Sequence, residues 1–253
     1  MPIIDVLFPD VDSAALLFLL LFVPFFIYHT LRARRGHGVA FRPIAAYERM
    51  RRLLNYAAES GRPIHVTMGR GQIGGAATPE ALMGLTTYDY VVKHLAAYEQ
   101  VAPGTTGSAT VLPAAMGVLQ RARRDAGLTS FYSTEGARFY GPDPMAYAGG
   151  AHETLSRRKY LANIMLGRFD DDGLWIVEAT GQQAMMQIGG TYDPAAAALM
   201  YVPMDETLVG EELYAAGAYL HRPIHRGSLA TQDLMRVVVI LAIVVGIVLT
   251  SLG

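Results

Sequence analysis

Three glycines follow a short apolar segment in the stretch HVTMGRGQIGGAATPEA, residues 65–81. Gly69, Gly71 and Gly74 have the G-x-G-x-x-G spacing of dinucleotide-binding turns, in which backbone N–H groups and a helix N-terminus hold a pyrophosphate. A site of that kind would make the protein a nucleotide-dependent enzyme. The alternative is a glycine turn that only lets two chains or two subunits approach closely.

The residues around these glycines depart from a dinucleotide site in two respects. The helix of such a site begins directly after the second glycine, whereas here QIGGAA follows Gly71 and the helix signal starts at Thr78. The next predicted strand ends in VLPAA, without the acidic residue that binds a ribose. Lys93 and Lys159 follow no G-x-x-x-x-G, so the pattern of a P-loop is missing too. We therefore favour the close-packing turn.

The same loop could bind a simpler anion. Gly69, Arg70 and Gly71 would lie at the carboxyl end of the first strand, where open α/β sheets bind ligands, and would offer N–H groups and a guanidinium. Glu135 and Asp205 are further candidates because each follows a predicted strand, where a catalytic carboxylate could stand. For Asp205 a helix N-cap is the alternative role. The candidate ligand-binding residues are thus Gly69, Arg70, Gly71, Glu135 and Asp205.

The other reactive residues match no catalytic pattern. The chain has no cysteine, which excludes disulfides, thiolate catalysis and cysteine-based zinc sites. His152 and Glu153 lack the second histidine of a zinc-peptidase helix, and Ser130 and Ser133 lie in no G-x-S-x-G motif. His65 is interpreted as a structural histidine. We expect no catalytic residues, no metal and no cofactor, and the net charge of −1 indicates no nucleic-acid partner.

Two apolar segments point to the membrane. Hydrophobic residues make up 52% of the 253 residues and charged ones 17%, a composition too apolar for an ordinary soluble domain. Residues 14–31 carry no formal charge and are long enough to cross a bilayer. Residues 237–252 would span about 24 Å, so Arg236 would need to snorkel or the bilayer to thin. A buried core helix is the alternative for either segment.

The charges around these segments predict the orientation. Acidic residues precede the first segment and basic ones follow it, which disfavours a cleaved signal peptide. Arginines cluster on the inner side of both segments: Arg32, Arg34, Arg35, Arg42, Arg49, Arg51 and Arg52 after the first, and Arg222, Arg226 and Arg236 before the second. By the positive-inside rule the central region is cytoplasmic and both termini lie outside, in the cell's inner (cytoplasmic) membrane.

The predicted organisation has six parts. They are a short external tail (1–13), a transmembrane helix (14–35), a juxtamembrane linker with an amphipathic helix (36–61), a cytoplasmic domain (62–220), a linker (221–235) and a second transmembrane helix (236–253). The amphipathic helix could lie on anionic headgroups or pack on the domain as an ordinary surface helix.

Strand and helix signals alternate through the central domain. Apolar segments predict strands at 64–68, 108–112, 129–133, 162–166, 184–189 and 197–204. Thr78-Pro79, Asp143-Pro144 and Asp193-Pro194 start helices between them, and a last helix is predicted over 205–220. This alternation predicts a Rossmann-like three-layer α/β domain with a mostly parallel sheet, flanked by N- and C-terminal transmembrane helices.

The last predicted helix is rich in small residues, which allow close helix packing. It predicts an oligomer interface formed by Gly210, Tyr214, Gly217 and Ala218.

Several of these motifs also resemble one protein family. They are H-V-x-x-G-x-G at residues 65–71, a YAAGA element, and GEELYAAGAYLHRP followed by GSL and QD within residues 210–233. On these motifs the chain resembles an uncharacterised bacterial family of unknown function with a membrane anchor at each end and a central Rossmann-like domain. The resemblance covers most of residues 45–253. It implies architecture and no established activity, so it transfers no catalytic residue.

Two functional hypotheses follow. The first is a membrane-anchored, cytoplasm-facing scaffold or accessory subunit without catalysis, which self-assembles into a homo-oligomer or joins other subunits of a larger membrane complex. The alternative is a membrane-tethered binding or enzymatic domain for a phosphorylated or nucleotide ligand at the carboxyl ends of the strands. The lipid bilayer is a partner in both, and nucleic acid in neither.

Overall fold

The computed structural model describes residues 13–34, 42–128, 136–181, 183, 185–220 and 223–252. The chain divides into two compact units. One is an α/β unit, Pro43–Leu220, and the other is a helical unit made of Met1–Arg42 and His221–Gly253.

The α/β unit is built on a six-stranded parallel sheet. Its elements in chain order are α2 (Ala45–Ser60), β1 (Ile64–Gly69), α3 (Thr78–Ala96), β2 (Gly104–Thr106), α4 (Val111–Asp125), β3 (Ala137–Phe139), α5 (Pro144–Ser156), β4 (Ala162–Arg168), α6 (Asp171–Gly181), β5 (Met186–Thr191), α7 (Pro194–Tyr201), β6 (Glu206–Val209), a 3-10 helix (Gly210–Ala215) and α8 (Ala216–Leu220). The strand order is β3-β2-β1-β4-β5-β6, and each neighbouring pair is parallel.

This order is that of a doubly wound sheet, whose strand sequence reverses direction between β1 and β4. The predicted α/β class and parallel sheet are therefore confirmed. The central strands, β1 and β4, are buried along almost their whole length, as parallel strands covered on both faces must be, and most of their side chains on one face are apolar.

Two predicted strands are misplaced, and a third lies outside the described residues. The second strand lies at Gly104–Thr106 instead of 108–112, where α4 already begins at Val111. The predicted strand at 129–133 falls outside the described residues, and β3 is Ala137–Phe139. The predicted strand at 197–204 is wrong, because α7 covers most of it and β6 is Glu206–Val209.

The error at α7 has a local cause. The run PAAAALMY is apolar throughout, and a short run of that kind fits a buried strand or a buried helix equally well. Asp193 decides the outcome, since its Oδ2 accepts a hydrogen bond from the Ala196 N–H over 3.0 Å and caps the helix. The predicted helix over 205–220 is consequently replaced by β6, the 3-10 helix and the short α8.

Helices cover the sheet in two groups. One face of the sheet is covered by α3, since a Cβ at Gly104 of β2 would lie 2.9 Å from Tyr88 of that helix. The other face is covered by α5, α6 and α7, whose side chains form a core with Met165 of β4. That second core contains Tyr147, Leu155, Phe169, Ile176 and Met200. The sheet is thus the middle layer of the unit.

The amphipathic helix α2 belongs to the α/β unit. Its apolar face buries Met50, Leu54 and Ala57 completely, and the Tyr47 hydroxyl donates a hydrogen bond to the Glu212 carbonyl over 2.7 Å. The alternative of a surface helix packed on the domain therefore describes α2, and the unit begins at Pro43 rather than at residue 62.

The helical unit pairs α1 (Ser13–Arg34) with α9 (Pro223–Leu252). A Cβ at Gly227 would lie 2.6 Å from the Thr30 Cα, and the Thr231 Oγ1 lies 3.5 Å from the Phe25 carbonyl oxygen. Residue numbers rise along one helix and fall along the other between these contacts, so the two helices are antiparallel.

One helix in the described part of the chain is long and apolar enough to cross a membrane. It is Leu229–Val248, with a mean hydropathy of 2.1, and it lies within α9. Phe18–Arg32 of α1 forms a shorter apolar helix. The residues predicted as a linker, 221–235, are helical from Pro223 onward and continue directly into this segment. By length and composition, the C-terminal end supports an association with the membrane.

Candidate functional site

The candidate site is the edge of the sheet where β1 and β4 end. Gly69 is the last residue of β1 and has a φ of +70°, a conformation that glycine adopts without a Cβ penalty. A Cβ at Gly69 would also lie 2.4 Å from the Arg168 carbonyl oxygen of β4. The glycine is thus required for the close approach of two central strands.

The backbone groups of this turn bond within the domain. The Gly69 N–H donates to the Tyr147 hydroxyl over 3.0 Å, and the Arg70 N–H donates to the Arg168 carbonyl over 2.9 Å. The Gly69 carbonyl accepts from the Gly107 N–H over 3.0 Å and from the Thr106 hydroxyl over 3.1 Å. The N–H groups that an anion would need at Gly69 and Arg70 already have partners.

Threonine hydroxyls bind the rest of the glycine loop. The Thr78 Oγ1 accepts hydrogen bonds from the N–H groups of Gly74 over 2.9 Å and Gly75 over 3.1 Å. The Ile73 N–H donates to the Thr110 hydroxyl over 2.9 Å. Donors that a dinucleotide turn would direct at a pyrophosphate are used by side chains at the starts of α3 and α4.

Arg70 fills the crevice between the strand ends. Its Nε donates to the Asp172 Oδ2 over 3.0 Å, and its Nη2 donates to the Asp170 Oδ2 over 2.6 Å. Nη2 also lies 3.3 Å from the Asp172 Oδ1, and Nη1 donates to the Pro142 carbonyl over 3.3 Å. One guanidinium therefore joins the turn after β1, the loop after β3 and the turn after β4.

The surroundings of this guanidinium are mostly buried and acidic. The Arg70 side chain is 14% exposed and that of Asp172 is fully buried. Burial lowers the pKa of Arg70, but the hydrogen bond and charge of Asp172 and the charge of Asp170 outweigh it and raise the pKa above its usual value. The Arg168 Nε also lies 3.9 Å from the Asp170 Oδ1, so the charges of two arginines and two aspartates pair with one another at this edge.

Tyr147 of α5 forms a hydrogen bond with the same turn. Its side chain is fully buried, and its hydroxyl accepts from the Gly69 N–H and donates to the Thr105 carbonyl over 3.4 Å. Burial raises the pKa of Tyr147 above its usual range, so the hydroxyl keeps the proton with which it donates.

A row of polar side chains crosses the central strands on the α5–α7 side of the sheet. The His65 Nδ1 lies 2.9 Å from the Asn163 Oδ1, and the Asn163 Nδ2 donates to the Gln187 Oε1 over 3.2 Å. Gln187 Nε2 donates to the Thr180 hydroxyl, which donates to the Val177 carbonyl over 2.8 Å. The row ties β1, β4, β5 and α6 together.

The first member of this row has one unsatisfied nitrogen. Because the Thr67 hydroxyl also donates to the Asn163 Oδ1, over 2.7 Å, that oxygen is an acceptor and the His65 proton is on Nδ1. His65 Nε2 is then a buried acceptor without a partner among the described residues. Burial lowers the pKa of His65 from 6.5 to about 4, and the charge of Arg138 acts in the same direction.

The structure brings together only some of the predicted site residues. Gly69, Arg70 and Gly71 lie at the carboxyl edge, and Glu135 falls outside the described residues. Asp205 directly precedes β6, so it lies at the opposite, amino edge of the sheet, where its Oδ2 accepts from the Gln187 N–H over 2.8 Å. It was placed after a strand only because α7 was predicted as one. Ligand binding by these residues stays a prediction.

The residues predicted for an oligomer interface have roles within the chain. Gly217 and Ala218 of α8 are buried in the α/β unit. The Tyr214 side chain bonds to Glu80 of α3, and burial followed by the Glu80 charge raises the pKa of Tyr214 to about 12. Gly210 begins the 3-10 helix with a φ of +56°. Participation of these four residues in an interface between subunits stays a prediction.

Comparison with known families agrees with the resemblance noted in the sequence. Residues 6–253 match the model of a family described as Domain of unknown function (DUF6754). The chain belongs to this family. No curated protein and no solved structure matches it.

Several residues of the site in this DUF6754 chain were missed by sequence reasoning. Asp170, Asp172 and Tyr147 were not among the predicted site residues. The polar residues Asn163 and Gln187 within otherwise apolar strands were the available signal for the buried row, because a polar side chain in a covered strand needs a partner. Among the described residues, no group of three or more His, Asp or Glu side chains could hold a metal ion.

Proposed function

We propose that this DUF6754 protein is a membrane-anchored scaffold or accessory subunit whose α/β domain faces the cytoplasm. The observation that carries the proposal is the set of hydrogen bonds from Arg70 to Asp170 and Asp172 at the end of β1, which we call the Arg70 clamp. Open α/β sheets bind their ligands in the crevice where the strand order reverses, and here that crevice lies between β1 and β4.

The polar groups at this edge of the sheet are hydrogen-bonded within the domain. The guanidinium bonds to the two aspartates, the Arg70 N–H bonds to the Arg168 carbonyl, and the Gly69 N–H bonds to the Tyr147 hydroxyl. A ligand entering here would have to break a buried charged hydrogen bond, which is among the most costly contacts to lose. Such an edge suits a domain that presents its surface to other proteins.

Membrane anchoring rests on the helical unit. Along both α1 and α9, large apolar side chains are exposed; they include Phe18, Leu20 and Ile27 of α1 and Leu241, Ile243 and Ile247 of α9. Exposed apolar surface of this extent is typical of contact with lipid. We propose that both helices span the inner membrane with both termini outside, in keeping with the arginines on the domain side of each helix.

Assembly is tested by extracting the protein from native membranes in a mild detergent. Light scattering after size exclusion gives the mass of the particle, and mass spectrometry identifies co-purifying chains. We expect a defined homo-oligomer or a larger complex. A monomer at micromolar concentration without companions would contradict the scaffold proposal.

Orientation is tested with the cysteine-free chain as background. Ser60→Cys, at the exposed end of α2, and Ser251→Cys, near the end of α9, form a matched pair. We expect an impermeant maleimide to label Ser251→Cys in intact cells and Ser60→Cys only after permeabilisation. Labelling of Ser60→Cys in intact cells would overturn the cytoplasmic placement.

A further inference from the structure

A cavity of about 280 Å³ lies at the amino edge of the sheet, at the opposite end of the strands from Arg70. Its walls come from the segments entering β2, β3 and β4 and from the end of α5. The lining residues are Pro103, Gly104, Gly136, Arg138, Thr154, Arg157, Arg158 and Tyr160.

Three guanidinium groups line this cavity from two different elements. Arg138 projects from β3, while Arg157 and Arg158 follow the last turn of α5. Glu153 is an acidic neighbour, and it pairs with Arg157 at the surface, where both side chains are more than half exposed. An exposed pair of this kind contributes little, so an incoming anion can compete for the Arg157 guanidinium.

A buried hydroxyl without a partner in the described part of the chain lies on the same face of the sheet as Arg138. Thr105 is the register partner of Arg138 in the neighbouring strand. Since a Cβ at Gly104 would face Tyr88 of α3, Thr105 faces the other side of the sheet, as Arg138 does. The Thr105 hydroxyl is fully buried and has no hydrogen-bond partner in the described part of the chain.

A second such atom lies behind Tyr160. The ring of His65 packs edge-on against the Tyr160 ring, with centroids 5.5 Å apart, and Tyr160 lines the cavity. His65 Nε2 lacks a partner among the described residues. Buried polar atoms in native proteins are nearly always satisfied, and of these two atoms the Thr105 hydroxyl can donate to an anion, on the face of the sheet that also carries Arg138.

We propose that this cavity binds a phosphate group. Guanidinium groups match the oxygens of phosphate with paired, charge-assisted hydrogen bonds, and three arginines line the cavity. A volume of about 280 Å³ is at the small end of ligand pockets, which suits a phosphate or diphosphate group better than a whole nucleotide. The phosphate can belong to a soluble molecule or to an anionic lipid headgroup. The site goes beyond the scaffold role and does not depend on it.

Calorimetric titration of the full chain in a non-ionic detergent tests the site. The soluble probes are inorganic phosphate and pyrophosphate at constant ionic strength, and the lipid probe is dihexanoyl phosphatidylglycerol, with dihexanoyl phosphatidylcholine as its zwitterionic counterpart. Saturable binding of a soluble probe assigns the site to a free phosphate. Saturable binding of phosphatidylglycerol alone assigns it to a headgroup.

Substitutions separate this site from general attraction of anions. Arg138→Gln and Arg158→Gln should each lower the affinity about ten- to hundredfold, as expected for loss of a hydrogen bond between charged groups. Arg121→Gln, on the exposed face of α4 and outside the cavity lining, should leave the affinity unchanged. All of the altered side chains are exposed, so the variants should fold. The proposal is overturned if no probe binds saturably, or if Arg121→Gln weakens binding as much as Arg138→Gln does.

Discussion

The Nε of Arg70 and the Oδ2 of Asp172 are 3.0 Å apart, although 102 positions of the chain separate the two residues. The pair connects the turn after β1 with the start of α6, across the point where the strand order reverses. Asp172 also accepts the Asp170 N–H at its Oδ1 over 2.8 Å, so both carboxylate oxygens are used. This pair holds together the two halves of the sheet at the carboxyl edge.

Removal of the buried charge of Asp172 should therefore destabilise the domain. Asp172→Asn leaves the Arg70 guanidinium in its buried position with only Asp170 as an ionic partner. Breaking a buried pair in this way costs about 3 kcal/mol. Urea unfolding of the full chain in detergent, followed by the fluorescence of its single tryptophan, Trp175, measures the loss.

Two companion variants make the test specific. Glu153→Gln breaks the exposed pair with Arg157 and should change the free energy of unfolding by less than about 1 kcal/mol. The double variant Arg70→Met/Asp172→Leu removes both charges and should recover much of the loss. Equal stability of Asp172→Asn and the wild type would show that the clamp does not hold the halves of the sheet together.

Tyr147→Phe should destabilise the turn after β1 by about 1–3 kcal/mol, because the buried Gly69 N–H loses its hydrogen bond to the Tyr147 hydroxyl. Tyr56→Phe is the matched control, since its ring is exposed on α2 and should tolerate the change. Amide hydrogen exchange gives a local measurement. The Gly69 amide should exchange faster in Tyr147→Phe, and unchanged protection there would contradict the assigned bond.

His65 makes stability depend on pH in a defined direction. Its pKa falls from 6.5 to about 4 in the folded chain, so between these values the unfolded chain binds a proton that the folded chain does not. Above about pH 6.5, His65 is neutral in both the folded and the unfolded chain and does not lower the free energy of unfolding. As the pH falls toward 4, protonation of the unfolded chain lowers that free energy. The decrease amounts to about 3 kcal/mol.

Urea unfolding at several pH values between 4 and 7 measures this slope. His65→Gln should remove most of it, and the exposed His152→Gln should retain it. Burial also lowers the pKa of His94, so a smaller slope of the same sign should remain in His65→Gln. A slope identical in His65→Gln and the wild type would assign the pH dependence to other groups.

Local signals explain which parts of this fold were predictable. Asp143 and Asp193 were predicted to start helices, and both do so with their own carboxylates, which accept N–H groups two or three residues ahead. A cap of this kind needs only neighbours in sequence. The buried strands β1 and β4 were likewise visible as short apolar runs.

Contacts between distant residues explain the rest. Arg70 was predicted to bind an anion because of the glycines on either side of it. The carboxylates that it binds in the structure belong to Asp170 and Asp172, about 100 positions away in the sequence. The strand β2 is Gly-Thr-Thr, and its buried threonines do not resemble an apolar run. The position of β2 in the chain is determined by its pairing with β1 and β3. Pairing between distant strands leaves no pattern in the local sequence.

Gly84 of α3 should not tolerate alanine, although alanine is the better helix former. A Cβ at this position would lie 2.6 Å from the Leu166 carbonyl oxygen and 3.1 Å from that of Met68, and backbone atoms of central strands cannot move aside. Overpacking of this kind costs about 1–3 kcal/mol, which exceeds the gain in helix propensity of about 1 kcal/mol. Gly84→Ala should therefore lower the free energy of unfolding.

Gly117→Ala is the matched control for that substitution. Gly117 lies in α4 with nothing within 4 Å of its Cβ position, so only the propensity gain remains and the variant should be about 0.5–1 kcal/mol more stable. Opposite signs for two glycine-to-alanine changes in neighbouring helices would confirm the close contact of α3 with the sheet. Two stabilised variants would place α3 further from the strands.

Gly227 should be essential for the pairing of α1 and α9, because a side chain there would collide with the Thr30 backbone, 2.6 Å from its Cβ position. In a chain carrying Phe25→Cys and Thr231→Cys, oxidation should crosslink the two helices, since the Thr231 hydroxyl lies 3.5 Å from the Phe25 carbonyl. Gly227→Leu should abolish most of this intramolecular crosslink, seen as a shift in gel mobility without reductant. Gly246→Leu, in the same helix with open space around its Cβ position, should crosslink as well as the parent. If both leucine variants crosslink equally, α1 and α9 do not pack through Gly227.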